Sequence, residues 1–157
     1  MNTEQIIDFN LDQRHHEVLV GQGLVDLARE LMSEAIRHDE SKWSRTEYEG
    51  FVHAREDLNA STTGGDVGYQ KQLLGAAIQA HIHGNAHHPE YWDNLGGEMP
   101  LVQTVIMYFD WRARSLAKGQ DMSGFWDYNL AKLTKQPRAR AVVELLRARD
   151  EAVGGVK

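Results

Sequence analysis

The stretch VGQGLVDLARELMSEAIRHDESK, residues 20–42, places apolar side chains at Val20, Leu24, Leu27, Leu31 and Ala35. Steps of three and four residues keep to one face of an α-helix, because each turn takes 3.6 residues. Four residues before Val20 comes His16, and three after Ala35 comes His38, so both imidazoles are expected on the inward face. His15 falls in line with Leu19, Gln22 and Asp26 and reads as solvated. The stretch closes on His38-Asp39, with Lys42 three residues further on. An imidazole beside a carboxylate offers nitrogen and oxygen ligands, a set that suits Zn, Mn, Fe, Co or Mg.

The same period recurs along the chain. Residues 1–13 are polar with a small apolar patch, an arm or a short helix ahead of the long one. Ser44 and Glu47 have the spacing of a capping box and open a helix to about Leu58, with Tyr48, Phe51 and Val52 inward. Residues 59–68 are dense in turn formers and read as a loop. A helix over 69–83 aligns Leu73, Leu74, Ala77, Ile78 and His81, and Gly84-Asn85 ends it. His87-His88-Pro89-Glu90-Tyr91-Trp92 reads as a connection stiffened by the proline ring. A helix over 101–118 turns Val102, Val105, Ile106, Phe109, Ala113 and Leu116 inward, with Asp110 embedded among them. Gly119 and Gly124 bracket a break, a segment over 125–133 follows, and a last helix runs over 137–150 before a frayed tail at 151–157. Strand signals are almost absent. The expected fold is all-α, one domain over 1–157, a compact bundle of about five to six helices.

Composition bounds the function. With no cysteine, disulfides, thiolate zinc sites and thiolate nucleophiles are excluded. Lys and Arg number 17 against 23 Asp and Glu, a net charge of −6 with no basic stripe, which argues against a nucleic-acid backbone as partner. No apolar run is long enough for a membrane span and the first ten residues do not read as a signal peptide, so the cytoplasm is the expected location. Histidine is the oddity: there are 8, six of them within His15-His16 and the stretch from His81 to His88.

His16, His38, Asp39, His81 and Asp110 are all expected to face inward, from three helices, with His87 and His88 on the stiff connection. Buried without partners, so many ionisable groups would be expensive. One or two divalent ions (Mn, Fe, Zn, Co or Mg) would satisfy them, and no sulfur ligand is needed.

The order His16, then His38-Asp39, then Asp110 resembles the HD-domain superfamily of metal-dependent phosphohydrolases. Together with His81 and His87-His88-x-Glu90 it is similar to the richer ligand set of that superfamily's cyclic-dinucleotide phosphodiesterase branch, although Pro89-Glu90-Tyr91-Trp92 stands where that branch carries Gly-Tyr-Pro. More closely, His38-Asp39-x-Ser41-Lys42, Asn85-x-His87-His88-Pro89-Glu90 and Asp110-Trp111 resemble a small bacterial and phage family of unassigned function, over about residues 16–150.

The superfamily resemblance implies an HD-like fold, with His16, His38, Asp39 and Asp110 on one metal and Asp39 bridging to a second held by His81 and by His87 or His88. A water between them would attack phosphorus. Lys42 would neutralise phosphoryl charge, and Glu90 would orient a ligand or handle a proton. Trp43, Tyr91 and Trp92 are candidates to line the substrate pocket. The expected activity is hydrolysis of a nucleotide or other small phosphoester. The alternatives are a non-catalytic metal- or nucleotide-binding accessory protein and a purely structural helical domain with packed, metal-free histidines.

Overall fold

The computed structural model describes residues 3–59, 67–118 and 122–153. Every regular element among them is helical: α1 (Thr3–Arg37), α2 (Arg45–Asn59), α3 (Val67–Gly84), α4 (Pro89–Leu95), α5 (Leu101–Lys118), α6 (Met122–Lys132) and α7 (Pro137–Ala152). Short 3-10 turns at Glu40–Trp43 and Leu133–Lys135 complete the set. The all-α expectation holds, with seven α-helices among the described residues where five to six were expected. None of these helices is long and apolar enough to cross a membrane.

The additional helices have physical reasons. Residues 3–13 continue α1 rather than forming a separate arm, since nothing before Arg14 breaks the helix. Pro89 stands at the first position of α4, where its missing N–H costs no hydrogen bond. The histidine connection therefore runs directly into a helix. Gly96 ends α4 with φ 66°, a left-handed conformation that favours glycine. Gly124 lies inside α6 and not at a break. The expected loop falls mostly on residues 60–66 and the frayed tail partly on 154–157, both outside the described residues.

The apolar core is built by α5, α6 and α7 from Met107, Tyr108, Trp111, Trp126, Ala139 and Val143, closed by Met99 and Leu133. Tyr108 stacks on Trp126 with ring centroids 5.3 Å apart. On α5 the buried face is Thr104, Ile106, Met107, Tyr108, Trp111 and Ser115, whereas Phe109 and Leu116 are exposed. Of the expected stripe, Ile106 is buried and Val102 and Val105 are partly covered, while Phe109, Ala113 and Leu116 lie outward. Gln136, 2% exposed, ties the connections together: its Oε1 accepts from Met99 N at 2.8 Å, and its Nε2 donates to Asp93 Oδ1 at 2.8 Å.

The α2–α3 pair is antiparallel. Glu47 meets His81 at one level, and one turn along, Gly50 meets Ala77 and Leu73. A Cβ on Gly50 would collide with Ala77 Cβ and lie 2.8 Å from Leu73 O, so the close approach of the two helices requires glycine there.

Helix α1 departs most from expectation. Val20 and Leu24 are 49% and 63% exposed, and only Leu27 and Leu31 of the stripe are partly covered. Periodicity identifies a face; it does not supply a partner for its whole length.

Candidate metal centre

The end of α1 delivers the first ligands. His38 follows the last residue of α1, and its Nδ1 donates to Ala35 O at 2.8 Å. That bond leaves Nε2 free to ligate. Asp39 caps the 3-10 turn, which its carbonyl closes by accepting from Lys42 N at 3.0 Å. The same turn brings the Lys42 ammonium onto Asp39 Oδ2. Asp39 Oδ1 then points inward, 3.3 Å from His81 Nε2 and 3.6 Å from His87 Nε2.

His81 comes from α3, while His87 and His88 precede α4. All three are buried, at 4%, 2% and 8% exposure. Neighbouring imidazole centroids among His38, His81, His87 and His88 are 4.3–5.7 Å apart. Trp92 anchors the connection by donating Nε1–H to Ala86 O at 2.7 Å, with its ring packed on the core. Asp110 reaches in from α5. Arg114 Nε donates to its Oδ1 at 3.0 Å, and Oδ2 is left buried.

Two groups of potential ligand atoms result, His81/His87/His88 and His38/Asp39/Asp110, each with its atoms within 4.8 Å of one another. Asp39 Oδ1, His81 Nε2, His87 Nε2, His88 Nε2, Asp110 Oδ2 and Glu90 Oε2 are all buried and accept no hydrogen bond from the described residues. Buried polar atoms in folded proteins are almost always satisfied, so this concentration of unsatisfied lone pairs fits a cation.

Protonation favours the same use. Burial pushes the His87 imidazole down to about 4, against the pull of the Asp110 and Asp39 carboxylates. Burial and the neighbouring His87 and His81 push His88 down to about 2. Both are therefore neutral near pH 7, the form that ligates metals. Burial works to raise the Asp39 carboxyl, but the hydrogen bond and charge of Lys42 outweigh it and hold the group below its usual 3.8.

His16 is the correction. It is exposed on α1, outside both ligand groups. Because α1 is one helix from Thr3 to Arg37, the rise of about 1.5 Å per residue puts His16 roughly 30 Å from His38 along the axis. The shared face was read from angle alone, and axial distance rules His16 out. Of the proposed pocket residues, Trp43 is 79% exposed and stacked on Tyr48, Tyr91 packs edge-on to Trp92, and Trp92 is committed to the core and to Ala86. Glu90 is the second residue of α4, with Oε1 3.8 Å from Lys132 Nζ.

Three residues of the site went unread in the sequence. Glu47, 3% exposed, has the spacing of a capping-box glutamate, and its N–H does meet Ser44 Oγ at 3.5 Å. Its carboxylate, however, turns to His81 Nδ1 at 2.8 Å and accepts from Ser41 Oγ at 3.0 Å. Asn85, read as a helix terminator and a motif residue but given no role in the site, donates to Ser41 Oγ at 2.7 Å. The signal available was the motif spacing that holds Ser41 and Asn85 beside the ligands.

A family model described as "Family of unknown function (DUF5662)" matches residues 5–147. The chain belongs to that family. Its matched span contains both ligand groups and all three connecting motifs. No curated protein and no solved structure matches the chain.

Proposed function

We propose that this DUF5662 member is a metal-dependent phosphohydrolase of HD-domain type, acting on a nucleotide or another small phosphoester. What carries the proposal is the convergence of five buried, unsatisfied ligand atoms, from Asp39, His81, His87, His88 and Asp110, on four segments of the chain. His38-Asp39 followed by Asp110 supports the superfamily resemblance, and His81, His87 and His88 supply the ligands for a second ion that His16 does not provide for the first. One or two divalent cations held there would polarise a phosphoryl oxygen and lower the pKa of water toward neutrality.

The chain's own residues have distinct tasks. Asp39 presents Oδ1 between His81 and His87 and offers Oδ2 toward His38 Nε2 at 3.5 Å, which places it between the two ligand groups. Lys42 holds Asp39 ionised and brings a positive charge to the partly exposed edge of the site. Glu90 has one oxygen buried without a partner and is placed to accept a proton or orient a ligand. Arg114 fixes the orientation of Asp110.

One feature favours the rival reading of a non-catalytic metal- or nucleotide-binding protein: the Lys42 ammonium is already engaged by Asp39 rather than directed at a phosphate position. A phosphoester panel that includes nucleotides and cyclic nucleotides, run with Mn, Co, Zn, Mg and Fe, separates the two. Turnover by wild type and its loss in Asp39→Ala support the phosphohydrolase; tight binding without turnover under every metal supports the rival.

A further inference from the structure

We infer that Glu47 is the positioning residue that sets the His81 tautomer for metal ligation, with Ser41 and Asn85 orienting Glu47. The inference rests on the metal-centre reading above. It also gives a reason for the serine of His-Asp-x-Ser-Lys and the asparagine that precedes the paired histidines.

His81 Nδ1 has three neighbours, Asn85 Nδ2 at 3.2 Å, Ser41 Oγ at 3.4 Å and the Glu47 carboxylate at 2.8 Å, and the nearest of them, an acceptor, sets the proton on Nδ1. Asn85 Nδ2 donates to Ser41 Oγ at 2.7 Å and to His81 O at 2.8 Å. An amide nitrogen only donates, so Ser41 Oγ accepts from it, and the hydroxyl proton is directed to Glu47 Oε2 at 3.0 Å. The second donor to that oxygen is His81 Nδ1–H at 2.8 Å. With Nδ1 carrying the proton, the His81 Nε2 lone pair points at the site, 3.3 Å from Asp39 Oδ1. Glu47 therefore does not ligate, because its inward oxygen is already taken by two donors. A carboxylate behind a ligating imidazole fixes the ring and raises its basicity.

The chain also joins three elements. Ser41 lies in the turn after α1, Glu47 on α2, and His81 and Asn85 on and after α3. Glu47 is 3% exposed and His81 4%, so water does not replace these bonds.

The test uses full-length protein stripped of metal and titrated with Co(II), alongside long-range 15N–1H correlation of the metal-free histidines. Glu47→Leu fills similar volume without an acceptor. It is expected to weaken Co(II) binding about 10–100-fold and to release His81 from the Nδ1–H tautomer. Glu47→Gln keeps an acceptor oxygen and is expected to recover most of the affinity. Ser41→Ala, which removes one donor to Glu47, is expected to give a smaller loss in the same direction and carries the test if the leucine variant does not fold. Wild-type affinity and an unchanged His81 tautomer in folded Glu47→Leu, or in Ser41→Ala if that is the variant that folds, overturn the inference alone. Failure of wild type to bind Co(II) overturns the metal centre and this inference with it.

Discussion

Replacing Gly50 with alanine puts a methyl group where α2 and α3 come closest. The added Cβ overlaps Ala77 Cβ and lies 2.8 Å from Leu73 O and 3.4 Å from Leu73 C. The Leu73 contacts are backbone, part of α3 itself, so no side-chain rotation relieves them. Overpacking of this kind costs about 1–3 kcal/mol, against a gain of about 1 kcal/mol from alanine's better helix propensity. Because the obstruction is backbone, a net loss of about 1–2 kcal/mol is expected, a fall in Tm of about 2–8 °C for a chain of this size. Gly75 on α3 is the control, with no described atom within 4 Å of its would-be Cβ. There alanine is expected to raise stability by up to about 1 kcal/mol. Thermal unfolding of the two variants beside wild type measures the difference. Separation of the helices would also draw Glu47 from His81, so Gly50→Ala should bind metal less tightly than Gly75→Ala. Equal stabilisation by both substitutions would refute the close α2–α3 packing and the site geometry built on it.

Exposed, distant His16 changed to alanine should leave metal stoichiometry unaltered, whereas His87→Ala should reduce it; elemental analysis of both reports the contrast. In the metal-free protein, the folded-state position of His87 at about 4 lies below the unfolded value of 6.5, so the unfolded chain takes up the proton first. Stability is therefore constant above about pH 6.5 and falls as pH drops toward 4, by about 3 kcal/mol for this group, with His88 adding to the slope. Urea unfolding between pH 7 and pH 4 tests the sign, and stability that rises on acidification would contradict it. Gln136→Leu leaves Met99 N–H buried without an acceptor, which should cost about 1–3 kcal/mol in chemical unfolding while leaving metal content intact.

The helices were legible where caps and breakers bound them. The helices expected from 101 and 137 begin there as α5 and α7, and the cap at Ser44 opens α2 at the next residue. Helix α4 was hidden because Pro89 reads equally as a stiff turn or a first helical residue. Of the candidate site, His38, Asp39 and Asp110 lie in one group and His81, His87 and His88 in another; helix faces had pointed His38, His81 and Asp110 inward, and His87 and His88 were read on a connection. His16 lies in neither group, since periodicity gives the angle about a helix axis and says nothing of distance along it. Glu47 was unreadable for the opposite reason: its local spacing had a complete explanation in helix capping, and its true partner lies 34 residues away on α3. On α5, Ile106 is buried as counted, but Thr104 and Ser115 are buried too and Phe109 is not, so counting apolar residues found the inward face only in part.

The most direct test of the centre is elemental analysis of protein expressed without a histidine tag, purified without chelator, and compared with Asp39→Ala. The geometry predicts one or two equivalents of a divalent transition metal per chain in wild type and a marked loss in the variant. No stoichiometric metal in wild type, after reconstitution with Mn, Fe, Co and Zn in turn, would contradict it.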